Sequence, residues 1–409
     1  MNFPTSIIPA PHAAINRDAP LICFSHLRWD FVLQRPQHLM ARFAKEWPVF
    51  YFEEFIPTDH HLAYLEIHPF EGTTVKSVRP RIPQGWSAER REQALGKLLD
   101  ELLGLCGAQR PILWFYTPMM YGFARHVAAA AVVYDCMDEL ANFKFAPPEI
   151  KKMEAALIAR ADVAFTGGYS LYEAKRHQHG NMHPFPSSVD ANHFRSARLS
   201  TAEPSDQRPI PSPRLGYYGV IDERLDLALI GAVAQARPDL SFVFIGPLAK
   251  ITADDLPRAA NIHYLGQKPY RELPLYLAGW EVALMPFALN EATKFISPTK
   301  TPEYLASGRP VVSTPIKDVV RHYGTVPGVF LAGDAQSFAK ACDDALALKR
   351  RGTGWLAPID AILARSSWDE TFLAMRSLLE KAIVRAEAPE QPRTSSRQHL
   401  ADAVAIAAQ

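Results

Sequence analysis

From Leu21 onward, short runs of β-branched, aromatic and aliphatic residues alternate with amphipathic stretches, the pattern of βα units around a parallel sheet covered on both faces. In the first half, Leu21–Ser25, Val49–Glu53, Ile112–Tyr116, Val132–Asp135, Val163–Thr166 and Met182–Pro186 read as strands. Val32–Lys45, Ala88–Leu105, Pro148–Arg160 and Tyr169–His177 read as helices, and the stretch between Glu53 and Ala88 as irregular. Residues 196–213 hold four prolines and almost no large apolar side chain, so they read as an interdomain linker that contributes little core. Beyond it the alternation restarts, with strands at Leu215–Tyr218, Ser241–Ile245, Ile262–Leu265, Val282–Pro286, Pro310–Thr314 and Val329–Leu331. Helices are expected at Leu225–Ala236, Arg271–Leu277, Pro302–Ser307 and Ala335–Lys349, and a last one at Trp368–Arg385 places Phe372, Met375, Leu378, Leu379 and Ile383 near 3.6 spacing. The pattern predicts an α/β chain of two tandem Rossmann-like, doubly wound domains, 1–195 and 214–366, facing across a cleft. A return helix is expected over 367–386 and a disordered tail over 387–409. In open α/β sheets ligands bind beyond the carboxyl ends of the strands, which puts the expected site in the cleft.

Composition narrows the function classes. With 44 Lys+Arg against 43 Asp+Glu in 409 residues the net charge is +1, which argues against a protein that coats nucleic acid. Four cysteines without a C-x-x-C pair fit a reducing compartment. No apolar run reaches membrane-spanning length and the first twenty residues lack the features of an export signal, so a cytoplasmic protein is expected. Arg35, Arg42, Lys45, Lys151, Lys152 and Arg160 lie near apolar residues on two helices, which admits peripheral contact with the inner face of a membrane. The 20 acidic and 20 basic residues of 1–195 equally fit a mixed solvated face. Glycine-rich dinucleotide and P-loop motifs, a nucleophile elbow and an Asp-x-Asp triplet are all missing. Histidines are concentrated before the linker but not at ligand spacing, so neither a cofactor nor a metal is expected. Any phosphate must then be held by backbone amides and basic side chains.

The most informative segment is Ser297–Thr314, SPTKTPEYLASGRPVVST. It reads as a loop, a short helix entered near Thr301–Pro302, Gly308 at its exit and a buried strand. Proline suits a first helical turn, and amides around Ser297, Thr299 and Thr301 would favour an anion there. Lys300 adds a full charge, and Glu303 could accept two ribose hydroxyls. The same residues also fit a plain helix start with a dipole-matching Glu and a solvated Lys.

This segment resembles the donor-binding motif of GT-B-fold glycosyltransferases of the family-4 type, E-x7-E followed by A-x-G-x-P-V-V. Glu303, Ala306, Gly308, Pro310, Val311 and Val312 match its second half, whereas Phe295 stands where the first glutamate would fall. The resemblance implies a ribose contact through Glu303 and does not extend to the sugar contact or the stereochemical outcome. Leu215–Asp226, LGYYGVIDERLD, is similar to the family's strand, glycine turn and basic residue. It implies close backbone approach at Gly219 and a diphosphate clamp at Arg224; Arg224 could instead pair with Asp222 or Asp226.

In the first domain, His26–Leu39, HLRWDFVLQRPQHL, crowds large polar and aromatic residues into one βα turn and resembles an N-terminal signature of transferases of bacterial cell-surface polysaccharide assembly. Trp29, Arg35 and Gln37 are candidate acceptor contacts; an elaborate helix cap is the alternative. VVYDCMDELANF at 132–143 offers a base for the acceptor hydroxyl. Asp138 is the first choice, Asp135 the second and His26 the third, while both aspartates could instead cap the next turn. Thr166-Gly167-Gly168 could approach a ligand or form a tight turn. The expected activity is metal-independent transfer of a sugar from a nucleotide-diphosphate sugar to a saccharide or lipid-linked acceptor. A nucleotide-sugar 2-epimerase and a non-catalytic sugar-nucleotide binder are the rivals.

Overall fold

The computed structural model describes residues 15–107 and 109–387. Apart from Glu387, the expected tail over 387–409 lies outside them. The first sheet comprises β1 (Leu21–Ser25), β2 (Val49–Glu53), β3 (Ile56–Thr58), β4 (Tyr64–Pro69), β5 (Lys76–Pro83), β6 (Ile112–Phe115), β7 (Ala131–Cys136), β8 (Val163–Thr166) and β9 (Met182–Pro184), in the order β3-β5-β2-β1-β6-β7-β8-β9 with β4 antiparallel on β5. The second comprises β10 (Arg214–Tyr218), β11 (Ser241–Ile245), β12 (Ile262–Tyr264), β13 (Val282–Met285), β14 (Val311–Ser313) and β15 (Val329–Leu331), in the order β12-β11-β10-β13-β14-β15. All its pairings are parallel and the order reverses beside β10, the doubly wound arrangement. The central strands are apolar and buried on both faces: LICFS, ILWF, SFVFI and VALM each show no exposed position.

The segment expected to be irregular instead forms β3, β4 and β5. Pro57, Pro69, Pro80 and Pro83 weaken the strand signal there; Pro57 and Pro69 lie on β3 and β4, each paired on one side only, where a ladder hydrogen bond is dispensable, whereas Pro80 and Pro83 lie in β5, which pairs on both sides. The first helix starts at Arg35, later than expected, because Gln34 and Gln37 form a reciprocal capping box and Pro36 occupies its first turn. The largest departure concerns 196–213, which is no free linker. Ala197 and Ile210 are buried in the second domain's core, as are Val189 and Phe194 just before them. Polar side chains complete the packing: buried Gln207 donates to the Tyr276 carbonyl at 3.1 Å and accepts from Trp280 Nε1 at 2.8 Å. The chain therefore crosses between domains near Ser187–Val189, where Val189 N donates to Ser366 O at 2.9 Å. The final helix, Trp368–Glu387, runs back onto the first domain, burying Trp368, Met375 and Leu379 in its core.

Arg35 joins these parts. Its guanidinium forms a two-pronged pair with Asp135 at the end of β7, at 3.0 and 2.9 Å, and donates to the Phe185 carbonyl at 2.7 Å near the crossover. Both side chains are buried. Removing one partner of such a pair leaves an uncompensated buried charge. Asp135→Ala is therefore expected to lose about 3–5 kcal/mol in urea unfolding, and an Arg35→Met, Asp135→Leu double variant markedly less.

Candidate functional site

Strand ends from both sheets meet at one cleft, a cavity of about 880 Å³. From the second domain, Gly219 follows β10 and Gly246 follows β11, with φ of 144° and 146° that only glycine adopts without strain. A Cβ on Gly246 would stand 1.8 Å from the Gly219 carbonyl oxygen, and one on Gly219 would stand 2.3 Å from Lys300 Cε. The bare backbone thus lets the lysine stem lie along the turn and brings the ammonium to the cleft. Lys300 makes no ion pair or hydrogen bond among the described residues; its Nζ lies 5.8 Å from the Tyr217 ring centre. Burial lowers its pKa, with Glu303 opposing and Arg224 adding to the effect. An anion entering beside Lys300 would favour its charged form.

Arg224 also lines the cleft, but its guanidinium is held by Asp222 at 2.7–3.0 Å. Burial works against its proton, and the Asp222 pair outweighs this and raises the pKa well above the ordinary value. The pairing open in the sequence is therefore made with Asp222, which leaves Arg224 oriented at the cavity wall. The helix Lys300–Ala306 presents Glu303 in its first turn, where the Tyr218 hydroxyl donates to Oε2 at 2.5 Å. Burial raises the Glu303 carboxyl to about 7 against the lowering pull of Tyr218 and Lys300. Ser297 and Thr299 line the same wall. Thr301 does not: its side chain is fully buried and directs its hydroxyl to Met285 Sδ at 3.0 Å, so only its backbone amide is left as a candidate contact. Phe295, at the position of the absent glutamate, packs against the apolar layer of the first domain.

The first domain supplies the facing wall through His26 after β1, Asp138 after β7 and Gly167 after β8. Burial, with Lys250 adding, lowers the His26 pKa to about 4, so the imidazole is neutral near pH 7. Its Nδ1 is buried without a partner among the described residues. Burial raises the Asp138 carboxyl, Arg224 opposes this and Asp222 reinforces it. The Asp138 carboxylate makes no hydrogen bond among the described residues, so both groups can take a proton. The loop bearing Asp138 is anchored from below: buried Lys175 reaches Glu139 at 2.8 Å and Glu154 at 2.7 Å.

Three other expected contacts are structural. Asp135 is committed to Arg35 in the interior, which argues against its serving as a base, and the Arg35 guanidinium is spread over Asp135, the Phe185 carbonyl and Met375 Sδ, although the residue reaches the cavity wall. Gln37 folds the Arg28–Val32 turn by donating to the carbonyls of Arg28, Trp29 and Val32 at 2.9–3.3 Å, and the bond of its Oε1 to Gln34 N completes the cap. Trp29 does line the cleft, with its ring braced edge-on against Tyr51 at 5.0 Å.

Sequence reasoning overlooked Lys250, Phe143 and Tyr270, which also line the cavity. Lys250 has a φ of 61° and places its ammonium 4.8 Å from the Phe143 ring centre, across the domain boundary. Its position four residues beyond the Gly246 turn is the only local signal. Tyr270 keeps a buried hydroxyl without a partner among the described residues.

Comparison with known proteins is consistent with this arrangement. Residues 213–347 match the family model described as Glycosyl transferases group 1. The chain is 27% identical over 270 residues to a Bacillus subtilis (strain 168) protein named as a teichuronic acid biosynthesis glycosyltransferase, TuaH, covering 62% of this chain and 68% of that one. Among solved structures, sucrose-phosphate synthase from Thermosynechococcus elongatus superposes with a TM-score of 0.67 at 14% identity, covering 90% of this chain and 100% of that one. Anabaena HepE in complex with UDP and glucose superposes at 0.62 and 12% identity, covering 88% and 98%. The chain is a glycosyltransferase of the GT-B fold. The group 1 match falls on its second domain, and the similarity to TuaH covers 62% of the chain.

The contact between the two glycine turns is testable alone. Gly246→Ala must displace the Gly219 turn and strain its own backbone, at a cost of about 1–3 kcal/mol. The expected outcome is a lower urea midpoint, measured against Gly266→Ala, where an added Cβ meets nothing within 4 Å but φ is also positive.

Proposed function

We propose that this glycosyltransferase binds a nucleotide-diphosphate sugar on the second-domain wall and transfers the sugar to a saccharide acceptor on the first-domain wall, in cell-surface polysaccharide synthesis. The observation that carries the reading is the unpaired Lys300 ammonium lying along the Gly219 turn, one helical turn from the buried Glu303. Gly219, Arg224, Lys300 and the Ser297–Thr299 loop would surround the diphosphate, and Glu303 would accept the ribose hydroxyls. A carboxylate shared between Tyr218 and two ribose hydroxyls keeps its charge satisfied inside the protein. Asp138 would take the acceptor proton if the reaction inverts, with neutral His26 as the alternative base. The name of the Bacillus relative supports the polysaccharide context.

All four thiols are free, in keeping with a reducing cytoplasm. No helix among the described residues is long and apolar enough to cross a membrane. Of the basic face expected to touch one, Arg35 is buried, Arg42 pairs with Asp369 at 2.7 Å and Arg160 with Asp162 at 3.4 Å, which leaves Lys45, Lys151 and Lys152 exposed. We therefore favour a saccharide acceptor, presented free or on a lipid carrier, reached without broad contact with the membrane.

A thermal-shift panel of UDP, GDP, ADP and their sugars tests the donor. Lys300→Ala should weaken the stabilising nucleotide by about 1.5–3 kcal/mol, roughly tenfold to over a hundredfold. Conversion of one sugar nucleotide into another without acceptor would point instead to an isomerase. The pH dependence follows from Glu303: binding favours the carboxylate, whose fraction rises from about a tenth at pH 6 to about nine-tenths at pH 8 for a pKa of about 7. Calorimetry with the bound sugar nucleotide, which does not itself titrate in that range, should show several-fold tighter binding at pH 8, and Glu303→Gln should be weak and flat.

A further inference from the structure

The helix Tyr169–Lys175 of the first domain begins at Gly168, which has no side chain to cap it. The missing acceptor comes from the second domain. Asp318, in the helix Lys317–Tyr323 after β14, is 2% exposed, and its Oδ1 accepts the Ser170 N–H at 2.9 Å. The fit depends on glycine: a Cβ on Gly168 would stand 2.1 Å from Asp318 Oδ2 and 2.7 Å from Ser297 Cβ. Gly168 has φ −167° and ψ 168°, ordinary extended backbone, so what excludes a side chain there is the neighbouring domain.

The rest of the helix pair follows the same docking. Lys317 and Arg321 both hold Glu173, at 3.0 and 2.5 Å, and the Arg321 guanidinium lies 4.7 Å from the Tyr169 ring centre. At its far end, the capped helix carries Lys175, which grips Glu139 beside Asp138. At its near end, Gly167 sits against the Met137 carbonyl, where a Cβ would approach to 2.4 Å. One seven-residue helix thus touches the second domain along its length, while its last residue and the Gly167 that precedes it seat the Asp138 loop.

We propose that Asp318 is a positioning residue for transfer: by capping the Tyr169–Lys175 helix across the domain boundary, it holds the Asp138 loop opposite the Lys300 wall. This rests on the reading of those two walls as acceptor and donor sides. Asp318 touches neither substrate; it acts through the helix. The proposed donor groups all lie on the second domain, so the cap should govern turnover and leave nucleotide binding alone.

The test uses the full chain with Asp318→Ala, Asp318→Asn and Gly168→Ala, and Lys340→Ala as a remote control. In hydrogen exchange, Asp318→Ala and Gly168→Ala should speed amides of 168–175 and of 137–143 by about tenfold or more. The Leu227–Ala236 helix of the second domain should stay unchanged and report that the variants fold. With the donor found by the nucleotide panel, kcat of Asp318→Ala should fall by about tenfold or more while its donor KM and nucleotide affinity stay within about twofold; Gly168→Ala, whose Cβ would also press on Ser297, is used for exchange alone. Asp318→Asn keeps the accepting oxygen and should restore most of the rate. Unchanged exchange at 137–143, or unchanged kcat in Asp318→Ala, overturns the proposal. If no nucleotide binds the parent protein, the donor reading fails, and the exchange experiment still decides whether the cap positions the loop.

Discussion

The buried pair of Arg35 and Asp135 is the contact on which the cleft depends. It ties the first helix to the end of β7, and through the Phe185 carbonyl it ties both to the crossover between domains. A charge pair taken fully out of water contributes little net stability, because desolvation offsets most of the attraction, but it penalises any arrangement that separates its members. Here it fixes where β7 ends relative to β1, and hence where Asp138 and His26 stand. The site residues can then stay poorly paired, since their positions are set from behind.

The two walls are built differently. On the second-domain side the shape comes from missing atoms: Gly219 and Gly246 allow backbone to meet backbone and let Lys300 lie flat. On the first-domain side it comes from buried charge, with Lys175 between Glu139 and Glu154 under the loop. Positive charge and bare amides suit a diphosphate, whereas a neutral imidazole and a carboxyl of raised pKa suit proton transfer from a hydroxyl. The near-zero net charge of the chain hides this separation.

Much of the fold was legible because buried parallel strands leave continuous apolar runs that alternate with helical periods. Placement on the cleft wall was legible where chemistry and local backbone coincide: Gly219, Lys300 and Glu303 sit at strand or helix ends whose direction the sequence implies. The bracing roles of Arg35, Asp135 and Gln37 were not legible for a common reason. A polar residue near a βα turn can face the ligand or brace the interior, and the partner that decides, a hundred residues away for Arg35, leaves no local trace. The same holds for Asp318, whose partner lies 148 residues earlier. The linker was misread because its buried polar contacts, such as Gln207 with Trp280, do not register as hydrophobicity.

The central claim is that the Gly219–Lys300–Glu303 wall holds the donor. The most direct measurement is a crystal structure of the protein with the nucleotide that stabilises it most. The account predicts phosphate oxygens within hydrogen-bond reach of Lys300 Nζ and the Gly219 turn, and ribose hydroxyls on Glu303. A nucleotide seated on the first-domain wall, or bound in the cleft without touching Lys300 and Glu303, would contradict it.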